Sequence, residues 1–201
     1  MLRLDRRLRH WIFDLDGTLT VEVHDFPAIR RMLGLPQGKG ILELLAEMPP
    51  QQAEPLFRKL DAHEQELALL AKPAIGADAL LEELTRRNIR RGIFTRNSLS
   101  NLETTLEVAG LRHHFDADDF ITREKGPPKP RPEGIWHLLE VWGSDRTEAV
   151  MIGNHRNDLE AGHAAGIMTI HVDPSGSFDH SEHADLGIRS LEELLALLPE
   201  P

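Results

Sequence analysis

The stretch "HWIFDLDGTLT", residues 10–20, is a short apolar run that ends in acids and is followed by Gly17. This pattern is typical of a buried strand that opens into a loop. It places Asp14 and Asp16 two residues apart at the end of the strand. Two acids at one strand end predict a polar site there, and the rest of the chain has to supply the partners of that site.

Other segments repeat the same alternation of apolar runs and helical patterns. Strands are predicted at residues 90–97, 148–154 and 167–173, and helices at 76–89, 98–109 and 132–142. A last helix, "SLEELLALL", is predicted to open with a capping box between Ser190 and Glu193. Strands that alternate with helices predict an α/β fold, a Rossmann-like doubly wound parallel sheet with helices on both faces.

One segment interrupts this alternation. Between about Glu22 and Lys72 no strand is apparent, and three helical patterns follow one another, separated by "LPQGKG" and "MPPQQ". We therefore predict a core domain formed by residues 1–20 and 73–201. A small α-helical cap, residues 21–72, is inserted after the first strand.

Composition limits the classes of function. The 201 residues are 40% hydrophobic and 28% charged, as expected of a globular chain, and their formal net charge is −10. An acidic chain is unsuited to binding nucleic acid, which requires a basic face. The absence of cysteine excludes disulfides and zinc–thiolate sites, and there is no apolar run of about 18 residues to span a membrane. We expect a cytoplasmic protein with no nucleic-acid or membrane partner, and a monomer or homodimer.

The polar residues that follow the predicted strands share one position in the fold. They are Asp14 and Asp16 after the first strand, Thr95, Arg96 and Asn97 after the second, and Asn154 and Asp158 after the third. Ligands of open α/β sheets bind outside the carboxyl ends of the strands. Clustered oxygen donors without cysteine suit Mg²⁺, and an aspartate can attack phosphorus while a threonine and a lysine hold the phosphoryl oxygens.

Four stretches, in order and spacing, resemble the motifs of the haloacid dehalogenase-like hydrolases: "DLDGTLT", "IFTRN", "KPRPEG" and "GNHRNDLEAGHAAG". The helical insert resembles the C1 cap of phosphoglycolate-phosphatase-like members. The resemblance covers nearly the whole chain. It implies a Mg²⁺-dependent phosphatase that acts on a small phosphorylated molecule, with a Rossmann-like core under a cap.

The resemblance also implies a role for each motif residue. Asp14 would be the nucleophile, and Asp16 would protonate the leaving group and later activate water. Thr95 and Lys129 would bind the transferred phosphoryl group. Arg96 and Asn97 would either contact the substrate or cap the next helix. The implied metal ligands are Asp14, Asp16, Asn154 and Asp158, with Asp16 contributing its backbone carbonyl.

Asn154 departs from the family pattern, because it stands where an aspartate usually binds the metal. An amide oxygen can coordinate a hard cation but brings no negative charge, so weaker Mg²⁺ binding is expected. Alternatives are a catalytically weakened phosphate-binding or regulatory protein, or a phosphomutase. His24 and His155 lie beside the motifs and are further candidates. The basic residues that could meet an anionic leaving group in the cap are Arg30, Arg31, Lys39, Arg58, Lys59 and Lys72.

Overall fold

A computed structural model describes residues 4–199 of the protein. Its centre is one six-stranded sheet in which every neighbouring pair of strands is parallel. The strands are β1 (His10–Phe13), β2 (Arg90–Phe94), β3 (Phe120–Ile121), β4 (Ala149–Gly153), β5 (Met168–Val172) and β6 (Leu186–Ile188). Their spatial order is β3-β2-β1-β4-β5-β6. The order reverses between β1 and β4, so the carboxyl ends of these two strands flank the crevice where such sheets bind ligands.

Eight α-helices accompany the sheet. They are α1 (Phe26–Leu33), α2 (Ile41–Ala46), α3 (Pro50–Ala68), α4 (Ala77–Arg86), α5 (Leu99–Val108), α6 (Glu133–Trp142), α7 (Arg156–Ala165) and α8 (Leu191–Leu197). Single 3₁₀ turns lie at Arg112–His114, Ala117–Asp119, Arg146–Glu148 and Ser181–His183. No helix within residues 4–199 is both long and apolar enough to cross a membrane.

Side chains of β1 alternate between two hydrophobic layers, one on each face of the sheet. Trp11 and Phe13 pack with residues of α4, α5 and α8, and Ile12 packs on the opposite face with residues of α6 and α7. Successive side chains of a strand point to opposite faces, so a strand buried on both faces reads as a continuous apolar run. The predicted doubly wound parallel sheet is confirmed.

The insert between β1 and α4 contains α1, α2 and α3, which bury a hydrophobic cluster of their own around Leu45 and Leu60. Asp25 caps α1 by accepting a hydrogen bond from the backbone nitrogen of Ala28 at 2.9 Å. The helix ends at Gly34, whose φ of 69° is the left-handed conformation that glycine adopts most easily. The division into a cap at residues 21–72 and a core at 1–20 and 73–201 stays a prediction, and residues 1–3 and 200–201 of that core lie outside the described residues.

Three details differ from the sequence-based expectations. The edge strands β3 and β6, with two and three residues, were not predicted because such short runs carry no periodicity. The predicted capping box of α8 is wrong. Ser190 is the N-cap residue, but its side chain accepts no hydrogen bond from the helix, and Glu193 instead accepts one from the backbone nitrogen of Arg189 at 3.3 Å.

Candidate functional site

The carboxyl ends of β1, β2 and β4 lie side by side because Phe13 is in register with Ile93 on one side and Ile152 on the other. A cavity of about 600 Å³ opens above these strand ends and beneath α1 and α2. Every predicted site residue lines it: Asp14, Asp16, Thr95, Arg96, Asn97, Lys129, Asn154 and Asp158. The strand-end positions of the sequence are thus brought into a single site.

A buried group of charges forms the floor of this cavity. The ammonium of Lys129 lies 2.5 Å from Asp14 Oδ1 and 2.6 Å from Asp158 Oδ1. Lys129 lies in the loop before α6, and Asp158 in the first turn of α7. The three residues therefore tie β1, this loop and α7 together at one point.

The pKa values of this group reflect burial and charge. Burial raises the pKa of Asp14 to about 7, and the charge of Asp158 adds to the rise while Lys129 opposes it. For Lys129, burial alone would lower the pKa, but the carboxylates of Asp14 and Asp158 outweigh it and the pKa is raised. The lysine therefore remains a cation. The ionised form of Asp14 is disfavoured by its burial, so its carboxyl keeps a proton more readily than usual.

Asp16 occupies a separate wall of the cavity. Its Oδ2 accepts a hydrogen bond of 2.6 Å from the side-chain amide of Asn97. Burial raises the pKa of Asp16, although His24 opposes the rise. A raised pKa favours the protonated form of the carboxyl, which is the form that a general acid requires.

The residues after β2 are fixed by short-range contacts. Thr95 is buried, and its hydroxyl accepts a hydrogen bond of 3.1 Å from the backbone nitrogen of Asn97. The cap of α5 is Ser98, which accepts from the backbone nitrogen of Asn101. The alternative that Arg96 or Asn97 caps this helix is therefore wrong, and both side chains face the cavity.

The loop after β4 is shaped around Asp158. Its Oδ2 accepts a hydrogen bond of 2.9 Å from the backbone nitrogen of His155, the N-cap residue of α7. A Cβ on Gly153 would lie 2.4 Å from the same oxygen, so only glycine leaves room for the carboxylate. The ring of His155 accepts a hydrogen bond from the backbone nitrogen of Asn157 at 3.2 Å, a capping contact.

Residues that the sequence did not single out join helices α2 and α3 to the loops that follow β2 and β3. Glu43 of α2 accepts a hydrogen bond from the guanidinium of Arg96. Arg123, which follows β3, donates to Asp61 and Glu64 of α3, each at 2.7 Å. These partners are 53 to 62 residues apart in the chain, and local pattern could not have paired them. Of the six basic residues predicted as candidates in the cap, Arg30 lines the cavity.

The donor set suits a hard divalent cation. Carboxylate oxygens of Asp14, Asp16 and Asp158 and the amide of Asn154 line one cavity without sulfur, and burial raises the pKa values of Asp14 and Asp16. Both oxygens of Asp158 already have protein partners, Lys129 and the backbone of His155. Asp14 and Asp16 therefore provide the more available carboxylates.

Comparisons with known proteins agree with this arrangement. A family model described as haloacid dehalogenase-like hydrolase matches residues 24–172, more than half of the chain. An uncharacterized hydrolase of Saccharomyces cerevisiae is 27% identical, over 96% of this chain and 92% of its own length. An N-acetylmuramic acid 6-phosphate phosphatase of Pseudomonas aeruginosa is 26% identical, over 83% of this chain and 82% of its own.

The fold is likewise shared with solved structures. A hydrolase from Pseudomonas syringae superposes with a TM-score of 0.78 at 24% identity, over 94% of this chain and 96% of its own. At that identity the likeness shows the fold alone.

Proposed function

Because the chain belongs to the family of haloacid dehalogenase-like hydrolases, we propose that it is a Mg²⁺-dependent phosphatase that hydrolyses a small phosphorylated molecule through an aspartyl-phosphate on Asp14. The observation that carries the proposal is that two carboxyls, the buried Asp14 and the half-buried Asp16, lie at one strand end and that the ammonium of Lys129 contacts Asp14. One carboxyl can attack while the other exchanges protons.

In the first step, a carboxylate oxygen of Asp14 attacks phosphorus and the bond between phosphorus and the ester oxygen breaks. The proton of Asp16, whose pKa is raised by burial, passes to the leaving oxygen. Asn97 orients Asp16 through their hydrogen bond of 2.6 Å. Lys129 and the hydroxyl of Thr95 offset the charge on the phosphoryl oxygens.

In the second step, Asp16 takes a proton from water, the water oxygen attacks phosphorus, and the bond between phosphorus and Asp14 breaks. Inorganic phosphate leaves and both aspartates return to their starting states. A Mg²⁺ ion held by Asp14, Asp16, Asn154 and Asp158 would supply charge neutralisation for the phosphate. The cap helices would exclude water from the cavity during transfer.

The size and lining of the cavity favour a small substrate. A volume of about 600 Å³ accommodates a metabolite, and its wall includes Arg30 and Arg96 as cations within reach of an anionic leaving group. A relative that is named an N-acetylmuramic acid 6-phosphate phosphatase supports a sugar phosphate or a comparably small ester as the class of substrate.

Hydrolysis of p-nitrophenyl phosphate with and without Mg²⁺ tests this function. We expect Mg²⁺-dependent release of phosphate by the wild-type protein and none by Asp14→Asn, with the exposed Asp118→Asn as the matched control that retains activity. Rapid acid quench followed by mass spectrometry should find phosphate on Asp14. Turnover by Asp14→Asn would exclude the nucleophile, and binding of phosphate esters without turnover by wild type would indicate a binding protein instead.

A further inference from the structure

Glu22 lies in the segment that leads from β1 to α1, and its carboxylate faces the same cavity as Asp14 and Asp16. Its Oε1 accepts a hydrogen bond from the backbone nitrogen of His24 and contacts His24 Nδ1, each at 2.9 Å. Burial alone would lower the pKa of His24, but this hydrogen bond and the charge of Asp16 raise it to about 9. At neutral pH the histidine is therefore a cation, and Glu22 is held in place by it.

The second oxygen of Glu22 meets the amide of Asn154 beside Gly17. A Cβ on Gly17 would lie 2.1 Å from Asn154 Nδ2 and 3.1 Å from Glu22 Oε2, so both side chains occupy the space that the glycine leaves open. The side-chain amide of Asn154 therefore lies beside the carboxylate of Glu22, and Asn154 Oδ1 accepts a hydrogen bond from the hydroxyl of Thr18 at 3.4 Å. The amide can donate to the carboxylate of Glu22, whereas an aspartate at the same position would repel it.

The charges of the cavity do not balance among its side chains. Glu43 is paired with Arg96, and Glu64 with Arg123. The four remaining carboxyls are Asp14, Asp16, Glu22 and Asp158, and the cationic side chains that line the cavity with them are Lys129, His24 and Arg30. When all four carboxyls are ionised, one negative charge remains among these side chains, so the cavity still favours a cation.

We propose that Glu22 is a positioning carboxylate of the cation site, which supplies beside Asn154 the negative charge that the amide lacks. The inference rests on the proposed function, because it presupposes a divalent cation among Asp14, Asp16, Asn154 and Asp158. The contacts of Glu22 are to His24 and Asn154, so it acts on the ion through its charge and through the orientation of the amide.

Binding of Mn²⁺, measured by electron paramagnetic resonance without substrate, tests this inference. Removal of a carboxylate that supports metal ligands lowers metal affinity by about tenfold or more. We expect that loss in Glu22→Gln and no change in the exposed Glu107→Gln. Asn154→Asp should tighten binding more in the Glu22→Gln protein than in wild type, because the new carboxylate then no longer has the carboxylate of Glu22 beside it. Circular dichroism establishes that each variant is folded.

The outcomes separate this inference from the proposed function. If wild type binds Mn²⁺ and Glu22→Gln binds it equally well, the role of Glu22 is wrong and the phosphatase proposal stands. If Asn154→Asp has the same effect in both backgrounds, the coupling between the two residues is wrong. If wild type binds no Mn²⁺ at all, both the role of Glu22 and metal dependence are overturned.

A second cluster, independent of the cavity, joins α4 to the 3₁₀ turn Arg112–His114. Ligand atoms of Asp78, His113 and His114 all lie within 4.8 Å of one another. Asp78 Oδ1 is 2.8 Å from His114 Nε2, and the two imidazole rings lie 3.9 Å apart between centroids. His114 is buried while Asp78 and His113 are exposed, so the cluster is fixed on its inner side and open to solvent on the other.

The backbone of His114 is held from two sides. Its carbonyl accepts a hydrogen bond of 2.6 Å from Arg91, and its nitrogen donates to the carbonyl of Leu111 at 3.1 Å. Two imidazoles and a carboxylate are typical ligands of Zn²⁺ and related transition metals, and three protein ligands leave a position for water. We infer that Asp78, His113 and His114 form a surface transition-metal site that fastens α4 to this turn.

Competition for Zn²⁺ against a chromophoric chelator tests the second site. Wild type should bind one more equivalent of Zn²⁺ than His113→Ala or Asp78→Asn, and the exposed His137→Ala should match wild type. His113→Ala leaves the contact between Asp78 and His114 intact, so loss of binding in this variant distinguishes a metal site from a simple ion pair. Equal stoichiometry in all four proteins would overturn the site.

Discussion

Lys129 and Asp158 form an ion pair of 2.6 Å in which each side chain is only 2% exposed. Asp14 completes the group at 2.5 Å from the same ammonium. Taking charged groups out of water is unfavourable, and they are tolerated only because each has an opposite charge in contact. The group that would bind phosphate therefore also stabilises the fold, and measurements of stability can separate this role from catalysis.

Replacement of Lys129 by methionine should destabilise the fold. Removing one partner of a buried pair typically lowers the free energy of unfolding by about 3–5 kcal/mol, because it leaves an uncompensated charge. We expect a loss of that size near neutral pH and a smaller one in acid, where Asp14 takes up a proton. Urea denaturation measures it. Lys125→Met, at an exposed lysine four residues earlier, is the control, and equal stability of the two variants would contradict the structural role.

The raised pKa of Asp14 makes stability depend on pH. Burial and the charge of Asp158 raise that pKa from 3.8 to about 7, so the folded protein holds the proton more tightly than the unfolded chain. This contribution to stability is fully present below pH 3.8 and is lost as the pH rises through about 7. Since an asparagine does not titrate, Asp14→Asn should gain stability relative to wild type between these limits, by at most about 1.4 kcal/mol per pH unit.

Urea titrations of both proteins at several pH values within that window measure the difference. Because the other titrating groups are common to the two proteins, the change in the difference reports on Asp14. Curves that stay parallel would show that the carboxyl at position 14 titrates normally. Such a result would also remove the electrostatic reason for a cation beside it.

The sequence predicted the central part of the fold and the meeting of its strand-end polar residues in one cavity, because both follow from short apolar runs. Each of β1, β2 and β4 is a run of four or five residues that is followed directly by a polar residue. Parallel strands bring such ends to one edge of the sheet. Asp14, Thr95 and Asn154 could therefore be placed together without knowledge of any contact.

Pairings between distant side chains could not be predicted in the same way. Asn97 and Asp16 are 81 residues apart, and Gln65 of α3 donates to Thr104 of α5 across 39 residues. The pairing of Asn97 with Asp16 depends on how the loops after β1 and β2 approach each other, and that of Gln65 with Thr104 on how α3 lies on α5. Apolar periodicity determines neither. For the same reason Glu22 was not distinguished from the other acids of the chain.

Arg123 should hold α3 of the cap against the core. Its guanidinium donates to Asp61 and Glu64, and its Nε donates to the carbonyl of Arg96 at 3.0 Å. Arg123→Gln should lower the free energy of unfolding by about 2 kcal/mol, between the values typical of surface and of buried pairs, because Arg123 and Glu64 are largely buried. Hydrogen exchange of the α3 amides should become faster.

The control for Arg123 is Arg131→Gln, because Arg131 pairs with Glu133 at an exposed site. An exposed pair contributes about 0–1 kcal/mol, so this variant should unfold like wild type. Identical exchange rates of α3 in the two variants would show that Arg123 does not hold the cap helix in place.

The pair of Glu43 and Arg96 should regulate how well the cavity accepts an anionic ester. Glu43 is 41% exposed, so its contact with Arg96 is weakly held and an anionic group of the substrate can replace it. Glu43→Gln should lower KM for a phosphorylated carboxylate by about fivefold, equivalent to about 1 kcal/mol, and change KM for p-nitrophenyl phosphate much less. Arg96→Gln should raise KM for the phosphorylated carboxylate.

The control is Glu47→Gln, because Glu47 pairs with the exposed Lys39 in the same part of the cap. If Glu43→Gln and Glu47→Gln give the same KM for both esters, Arg96 does not bind the anionic leaving group.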